Sequence, residues 1–269
     1  MAPRFDLQSH STHSDGELPA ADVVRLAAAA GVELLALTDH DTVSGVSEAV
    51  AAGERAGVRV VPAVEISAVD DGGSEPRELH ILGYEIAYED PAFAKTLADF
   101  LADRERRTLR MAGALEEVGF ELDRHEIDER TAARQPIGRP HLAGAVLGAP
   151  ANASRLAEEG IDDVGSLIRA YLIDGKPAFR MRETPTIAQA VEAIHDAGGV
   201  AVWAHPFWDI KAQEEVVDSL QRFRGCGIDG VEAFYITHDR DQTALLARHA
   251  AYLEMLTTGS ADFHGPSNR

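Results

Sequence analysis

Residue types that bind divalent metal ions follow five apolar stretches of this sequence. The first stretch starts at Phe5 and runs into two histidines and an aspartate ahead of Gly16, and four later stretches repeat that order. With His80 on a further segment, the residues placed in this way are His10, Asp15, Asp39, His40, Glu65, His205, Asp262 and His264. Imidazole suits Zn, Fe and Mn, whereas carboxylate suits harder ions such as Mg. The mixture predicts two or three clustered ions, able to activate water and to stabilise the attacking and leaving oxygens of a phosphoryl transfer.

Four other histidines fall outside this pattern. His195 lies within a helical pattern, and His125 and His249 stand in charged surroundings typical of a surface. For these three we expect no metal. His13, close to the first candidates, could bind metal, contact a substrate or face solvent.

Strands and helices alternate through the first quarter of the chain. Strands are predicted near residues 5–9, 33–37 and 59–64, with helices near 19–30 and 44–56 between them. Units of this length favour parallel strands joined by right-handed crossovers. A polar turn then leads to an antiparallel or edge strand near 78–85, which carries His80. The metal-binding residue types would therefore meet at the C-terminal edge of a barrel-like sheet, where barrel enzymes place their active sites.

Helical periodicity dominates from Pro91 to about Arg180. Helices are predicted near 93–118, 131–147 and 164–172, after which alternation resumes with a helix near 187–197 and strands near 200–204, 230–234 and 255–258. This change of pattern predicts an α/β barrel formed by residues 1–90 and 183–269. A helical insertion at 91–182 would interrupt the barrel and cap its substrate.

The composition limits the classes of partner. The 269 residues include 45 acidic and 25 basic side chains, a net charge of −20. Proteins that hold duplex nucleic acid by its phosphates carry the opposite balance, so we expect no stable duplex binding and only a local phosphate site. The single cysteine, Cys226, excludes an intrachain disulfide. Because the sequence shows neither a long apolar run nor a signal-peptide pattern, we expect a cytoplasmic protein without a membrane partner.

The ordered motifs resemble those of the polymerase and histidinol phosphatase (PHP) family. They are Asp6-Leu7-Gln8-Ser9-His10-Ser11, Ser14-Asp15-Gly16, Thr38-Asp39-His40-Asp41, Glu65, His80, His205-Pro206 and Asp262-Phe263-His264-Gly265. The likeness extends over essentially the whole chain. It is closest to stand-alone bacterial phosphoesterases, which include 3′,5′-nucleotide phosphatases and 5′-to-3′ exonucleases of short RNA. It implies a distorted (β/α)7 barrel with a site for three metal ions.

The resemblance also implies how the candidate ligands divide among the ions. The implied sets are His10, Glu65 and Asp262 for one ion, Glu65, His80 and His205 for a second, and Asp15, His40 and His264 for a third. Glu65 would bridge two ions, since each of its oxygens can bind one. Asp39 is expected to act in catalysis by orienting His40 or a neighbouring ligand, not by binding metal itself.

Gln8 departs from the family pattern. The first motif of the family is His-x-His, and this chain has Gln8 at the first histidine position. An amide oxygen is a neutral and weaker ligand than imidazole. Gln8 could bind metal weakly, a water could replace it, or the ion could be lost. We therefore expect lower metal affinity there, with a shift towards Mn or Mg.

Basic residues of the predicted insertion are candidates for binding substrate phosphate. Arg139 opens a helix, and its guanidinium offers two parallel hydrogen bonds to a phosphate. The family resemblance implies phosphate contacts from Arg139, His141 and Lys176. Ordinary surface charge is the alternative for each of them, and also for Arg180 and Arg182 further along the chain.

His238 follows the strand predicted near 230–234, which directs it to the mouth of the barrel. The resemblance implies that a histidine in this place contacts the substrate phosphate or the leaving group. His238 is therefore a candidate general acid for the departing alkoxide.

The function implied is a metal-dependent phosphoesterase that hydrolyses phosphate monoesters of small substrates by a metal-activated hydroxide, without a covalent phospho-enzyme. Nucleotide 3′,5′-bisphosphates and short oligonucleotides are the expected substrates. One alternative is a phosphatase of sugar or histidinol phosphates. Another is a binding module that has lost catalysis, of which Gln8 would be the first sign; the other metal-binding residue types are retained, which argues against it.

Overall fold

The computed structural model describes residues 4–73, 76–133, 135 and 137–267. The chain divides into two compact units, one formed by Met1–Ala98 with Thr184–Arg269 and the other by Asp99–Glu183. Among the residues described, no helix is both long enough and apolar enough to cross a membrane.

The first unit is built on a seven-stranded sheet in which sequence order and spatial order agree. Its strands are β1 (Phe5–Asp6), β2 (Leu34–Leu37), β3 (Arg59–Asp70), β4 (Arg77–Tyr84), β5 (Val200–Trp203), β6 (Gly230–Tyr235) and β7 (Leu256–Ser260). β4 pairs antiparallel with both β3 and β5, and all other neighbours are parallel. Just past β1, Leu7 donates its N–H to Gly259 of β7 at 3.2 Å, so the sheet nearly closes on itself. The predicted seven-stranded α/β barrel is confirmed.

Eleven α-helices are present in the described part of the chain. They are α1 (Ala20–Ala29), α2 (Val46–Ala56), α3 (Pro91–Glu117), α4 (His125–Ala133), α5 (Arg139–Gly148), α6 (Ala153–Glu159), α7 (Val164–Leu167), α8 (Ile187–Asp196), α9 (Pro206–Asp209), α10 (Gln213–Gly225) and α11 (Arg240–Tyr252). A short 3₁₀ turn at Pro150–Asn152 precedes α6, and a π-helical turn at Ile168–Leu172 follows α7. The single helix predicted near 131–147 is wrong, because α4 ends at Ala133 and α5 begins afresh after the extended backbone of Gly138.

Alternating residues of β2 show how the barrel separates its inner and outer faces. Leu35 and Leu37 pack with the buried residues of α1 and α2, whereas Ala36 packs with residues of the other strands. Successive side chains of a strand point to opposite faces, which explains the alternation. Burying each leucine contributes about 1.5–3 kcal/mol relative to exposure. The second unit has an apolar core of its own, which includes Met111, Leu142 and Leu167.

Backbone strain is concentrated at the ends of the strands. Asp41, His205 and Asp262 all have positive φ angles, of 53°, 28° and 51°. Such conformations cost of order 1–3 kcal/mol each for residues other than glycine, and they cluster at functional sites. His205 and Asp262 are candidate ligands themselves, and Asp41 directly follows the candidate His40.

Candidate metal centre

Six of the seven strands contribute side chains to one buried cluster of imidazoles and carboxylates. His10 and Asp15 follow β1, His40 follows β2, Glu65 lies in β3, His80 in β4, His205 follows β5, and Asp262 and His264 follow β7. Three groups of these residues have ligand atoms within 4.8 Å of one another: His10, Asp15, His40 and His264; His40, Glu65 and His80; and His10, Glu65 and Asp262. The cluster therefore combines residues separated by most of the chain.

Glu65 lies at the centre of this cluster. Its Oε2 is 2.9 Å from Nε2 of His10, and its Oε1 is 2.6 Å from Nδ1 of His80 and 3.3 Å from Nε2 of His205. Its side chain is almost completely buried. One carboxylate thus faces separate imidazoles with its two oxygens, an arrangement that suits a bridge between two cations.

Asp15 lies on the opposite edge of the His10 ring from Glu65, and it too faces several imidazoles. Its Oδ2 is 3.6 Å from Nε2 of His40, and its Oδ1 is 3.5 Å from Nε2 of His264. The rings of His10 and His264 stack, with centroids 4.1 Å apart and planes inclined by 14°. These contacts gather Asp15, His40 and His264 in one place.

Several atoms of the cluster lack the hydrogen bonds that buried polar atoms normally make. Within the part of the chain that the structure describes, Nε2 of His10, Nδ1 of His80 and Oδ1 of Asp262 are buried without a hydrogen-bond partner of suitable geometry. Buried polar atoms without partners are rare and call for an unobserved ion or water. The donor set, imidazole nitrogens with carboxylate oxygens, is the one that Zn, Mn and Fe take in proteins. The residues therefore fit divalent ions.

Buried imidazoles and carboxylates of the cluster shift each other's pKa values. Burial alone would lower the pKa of His205, but pairing with Glu65 raises it to about 10. Burial likewise opposes protonation of His10, yet the carboxylates of Asp262 and Glu65 raise its pKa well above the usual value. In turn, although burial favours its neutral form, Asp262 has its pKa lowered to about 2 beside His10 and His264. Protons on the imidazoles supply positive charge that metal ions would otherwise supply.

Asp39 contacts the loop that follows β1 and belongs to none of the three ligand groups. Its carboxylate accepts hydrogen bonds from the N–H of Ser11 at 2.7 Å, from Oγ of Ser11 at 2.7 Å and from Oγ of Ser14 at 2.6 Å. Oγ of Ser14 also lies 3.4 Å from Nδ1 of His10. Asp39 thus contacts the loop that carries His10, and its indirect role in catalysis stays a prediction.

Gln8 is completely buried beside Glu65. Its amide Nε2 donates to Oε2 of Glu65 at 3.0 Å, and its Oε1 lies 3.4 Å from Oγ of Ser260. The side chain therefore contacts a candidate bridging carboxylate as a hydrogen-bond donor. In this arrangement the amide nitrogen, which cannot bind a cation, occupies a lone pair of Glu65, and metal binding by Gln8 stays a prediction.

Two residues that the sequence reasoning missed support the cluster from β6. Glu232 is fully buried and accepts hydrogen bonds from the N–H of His205 at 2.9 Å and from Oγ of Ser260 at 2.5 Å. Tyr235 donates its hydroxyl to Oδ2 of Asp262 at 2.9 Å. An acidic residue inside a predicted buried strand is a signal that could have identified Glu232.

As far as the described residues go, His205 lies outside the three ligand groups, although it was expected with Glu65 and His80 and its Nε2 is 3.3 Å from Oε1 of Glu65. The histidines not predicted as ligands lie outside these groups too. His195 pairs with Asp229 at 2.8 Å, and Nε2 of His13 faces Glu48 at 3.8 Å. Tyr235 stands between the ring of His238 and the cluster. Its ring centroid is 5.3 Å from that of His238 and 5.4 Å from that of His205.

The candidate phosphate-binding residues Arg139, His141 and Lys176 lie in the second unit, Asp99–Glu183. His141 is buried and accepts the N–H of Gly138 on its Nδ1 at 3.0 Å, which closes the first turn of α5. Arg139 is half-buried at the start of the same helix, and Lys176 is exposed. Their contact with phosphate stays a prediction.

Comparison with known proteins finds relatives that are phosphoesterases and that match over nearly the whole chain. A sequence model of the PHP domain matches residues 6–98. A 5′-3′ exoribonuclease of Haemophilus influenzae is 33% identical, with 99% of this chain and 92% of the relative covered. A phosphoribosyl 1,2-cyclic phosphate 1,2-diphosphodiesterase of Eggerthella lenta is also 33% identical, with 98% and 95% covered. A 3′,5′-nucleoside bisphosphate phosphatase of Chromobacterium violaceum is 31% identical, with 97% and 87% covered.

Solved structures agree with these relatives. An amidohydrolase from Chromobacterium violaceum, solved with bound sulfate and no metal, superposes with a TM-score of 0.79 at 31% identity and covers 98% of this chain and 88% of its own. A protein of Bifidobacterium adolescentis, solved as a candidate metal-dependent phosphoesterase, also gives 0.79, at 26% identity and with 98% and 89% covered. This chain belongs to the PHP domain family and is a metal-dependent phosphoesterase.

Proposed function

We propose that the protein hydrolyses phosphate monoesters of small nucleotides, namely nucleoside 3′,5′-bisphosphates or the ends of short oligonucleotides. The observation that carries the proposal is the convergence of His10, His40 and Glu65, each of which belongs to more than one group of candidate ligands. Shared ligands place neighbouring cations close together, as phosphoryl transfer between two oxygens requires. The names of relatives from Haemophilus influenzae and Chromobacterium violaceum support the substrate class.

The proposed metal ligands are His10, Asp15, His40, Glu65, His80, His205, Asp262 and His264, with two or three ions of Mn, Zn, Fe or Mg. When bound, such ions would lower the pKa of water and neutralise charge on the phosphoryl group. Glu65 and Asp15 hold the histidines in place by contacts between 2.6 and 3.6 Å. The strained backbone at His205 and Asp262 is of the kind that occurs at functional sites, where the surrounding structure holds it in place.

His238 is proposed to contact the substrate as a neutral imidazole. Burial lowers its pKa, so the ring is uncharged at neutral pH. Its Nδ1 is 3.2 Å from the carbonyl oxygen of Ala233, which favours the tautomer with the proton on Nδ1 and leaves Nε2 as an acceptor. A neutral ring of this tautomer accepts a hydrogen bond from a hydroxyl of the substrate, and its Nε2 has no proton to donate to the leaving oxygen.

Cations of the second unit are proposed to bind a further phosphate of the substrate. Arg139 offers a guanidinium at the start of α5, where His141 fixes the helix terminus, and Lys176 adds a mobile ammonium on a loop. Because the net charge is −20, attraction of a polyanion over the whole surface is excluded and these few cations must act locally. The proposal therefore favours short substrates over duplex nucleic acid.

A second candidate is hydrolysis of a cyclic sugar phosphate. The relative from Eggerthella lenta, named for a phosphoribosyl cyclic phosphate, matches at the same 33% identity as the exoribonuclease. The metal site alone does not separate the two, because both reactions need the same activated water and the same charge neutralisation.

The test is turnover by metal-free protein supplied separately with Mn, Zn, Fe and Mg. The substrates are p-nitrophenyl phosphate, adenosine 3′,5′-bisphosphate, histidinol phosphate and phosphoribosyl 1,2-cyclic phosphate. We expect the bisphosphate to give the highest kcat/KM, and Glu65→Gln to lower it more than about 100-fold. His195→Asn changes a histidine paired outside the cluster and serves as control. Highest activity on another substrate, or no activity with any metal, would refute the nucleotide assignment.

A further inference from the structure

Trp208 is an exposed aromatic side chain next to the candidate metal centre. The chain has two tryptophans, of which Trp203 is completely buried and Trp208 is 57% exposed. Trp208 lies three residues after His205, and its N–H donates to the carbonyl oxygen of His205 at 2.8 Å. The indole is therefore tied by backbone to a candidate metal ligand.

The turn that carries Trp208 is firmly packed. Within α9, Pro206 and Phe207 are buried, and Ile210 directly after it is 1% exposed. Phe207 also packs edge-on against the ring of His238, with centroids 5.5 Å apart. Buried neighbours on both sides fix the backbone of α9, while the indole between them stays in solvent. With the backbone fixed, only the two side-chain torsions of the indole have to be ordered when a second flat surface covers it.

A cation is fixed beside the indole. Nζ of Lys211 donates to the carbonyl oxygens of Phe207 at 2.8 Å and of Trp208 at 2.6 Å. The same Nζ is 5.9 Å from the centroid of the Trp208 ring. A flat aromatic surface and a positive charge thus stand together at the end of β5. A nucleotide offers the complementary pair, a base for stacking and a phosphate for the cation.

We propose that Trp208 stacks on the nucleobase of the substrate and thereby selects nucleotides over sugar phosphates. The inference rests on the proposed function for the identity of the substrate. Stacking needs only a π face, so it accepts any base, and it gives no advantage to a phosphate ester without a ring. Lys211 adds attraction for a phosphate of the same nucleotide.

Fluorescence offers a direct measurement of the contact, independent of turnover. Metal-free protein is titrated with adenosine 3′,5′-bisphosphate and, separately, with ribose 5-phosphate. We expect saturable quenching by the nucleotide and little by the sugar phosphate. In Trp208→Leu the remaining Trp203 is shielded from solvent against Phe223, so the quenching is expected to vanish. Quenching that persists in Trp208→Leu would overturn the proposal.

Kinetics with loaded enzyme supply the second readout. A stacking contact made equally in the bound substrate and the transition state changes KM and leaves kcat nearly constant. For Trp208→Leu we expect KM for the bisphosphate to rise roughly five- to 100-fold. Trp208→Phe keeps a ring and should recover most of this loss. Tyr252→Leu, at an 80% exposed aromatic near the end of α11, is the matched surface control.

The outcomes separate the two proposals. Nucleotide turnover with an unchanged KM in Trp208→Leu would remove the stacking role and leave the proposed function intact. Saturable quenching that depends on Trp208, without hydrolysis of any nucleotide, would support the stacking role and remove the proposed function. Equal losses of kcat in Trp208→Leu and Trp208→Phe would show a structural effect and overturn the inference.

Discussion

The hydrogen bond from Gln8 to Glu65 is expected to lower the metal affinity of the group His10, Glu65 and Asp262. An ion placed between His10, Glu65 and Asp262 would draw on Oε2 of Glu65, the same oxygen that accepts from Gln8. A neutral amide that donates to this oxygen competes with a cation for its lone pairs. An imidazole at the same position could give a nitrogen lone pair to the ion instead. Gln8 therefore weakens this part of the site by competition as well as by being a poor ligand.

Replacement of Gln8 by histidine is expected to strengthen metal retention. In Gln8→His we expect the most weakly held ion to bind at least about tenfold more tightly, equivalent to about 1.4 kcal/mol. The measurement is metal content after dialysis, followed by competition with a chelating dye. Gln8→Leu removes the competing donor but supplies no ligand atom, so it should show only a smaller part of the gain. If Gln8→His retains no more metal than the natural protein, the competition argument is wrong.

β6 joins the neighbouring strands β5 and β7 through one buried carboxyl group. Glu232 accepts from the backbone of His205 after β5 and from Ser260 at the end of β7, and Ser260 in turn contacts Gln8. Burial raises the pKa of Glu232 to about 7, so the group is largely neutral below that pH. The strained backbone of His205 thus depends on a residue that never reaches the centre itself.

Glu232→Leu is expected to destabilise the first unit and to loosen the centre. The N–H of His205 and the hydroxyl of Ser260 would be left buried without an acceptor, at a cost of about 1–3 kcal/mol each. Glu232→Gln has the same shape and keeps an acceptor oxygen, so its loss should be smaller than about 1 kcal/mol. The measurements are urea unfolding of metal-free protein and metal retention. Equal stability of the two variants would contradict the role given to Glu232.

The sequence was informative where chemistry and strand periodicity coincide. His10, His40, His205 and His264 each follow an apolar run, and the barrel brings all four to one end, as the alternation predicts. Glu232 was missed because it lies in the middle of a strand, where its neighbours read only as core. The hydrogen bond of Gln8 joins it to Glu65, 57 residues away, and no local pattern contains such a contact.

Helices were predicted less evenly than strands. α1, α2 and α8 end near glycines, and the sequence places them within a few residues. α10 and α11 are rich in charged residues and bury only narrow apolar stripes, so their periodicity was too weak to assign. The break between α4 and α5 depends on the extended backbone of Gly138 and on its hydrogen bond to His141. The helical periodicity of the sequence did not distinguish this cap from one long helix.

At the scale of the whole molecule, two buried imidazoles of the centre, His10 and His205, have raised pKa values. His205, with a pKa of about 10, and His10, whose pKa is also raised, are both charged at neutral pH. Their pairing with Glu65 and Asp262 stabilises the metal-free fold fully below the ordinary histidine pKa, and this contribution is lost as pH rises through the raised values. The lowered pKa of Asp262, about 2, acts in the opposite sense and is lost only in strong acid. The two charged imidazoles thus offset part of the negative charge of Glu65, Asp15 and Asp262 in metal-free protein.

Metal binding must therefore expel protons from the protein. An imidazole ligates a metal only in its neutral form, so loading at pH 7 is expected to release about two protons, from His10 and His205. Apparent metal affinity should consequently rise as pH increases from about 6 to 8, where those histidines remain protonated in the metal-free protein. The measurement is calorimetric titration with Zn or Mn in buffers of different ionisation enthalpy, which gives the number of protons directly. His195→Asn, which removes the histidine paired with Asp229 outside the cluster, should release the same number. Binding with no proton release would mean that the imidazoles are neutral before the metal arrives, and the partial charge offset derived from their contacts with Glu65 and Asp262 would not hold.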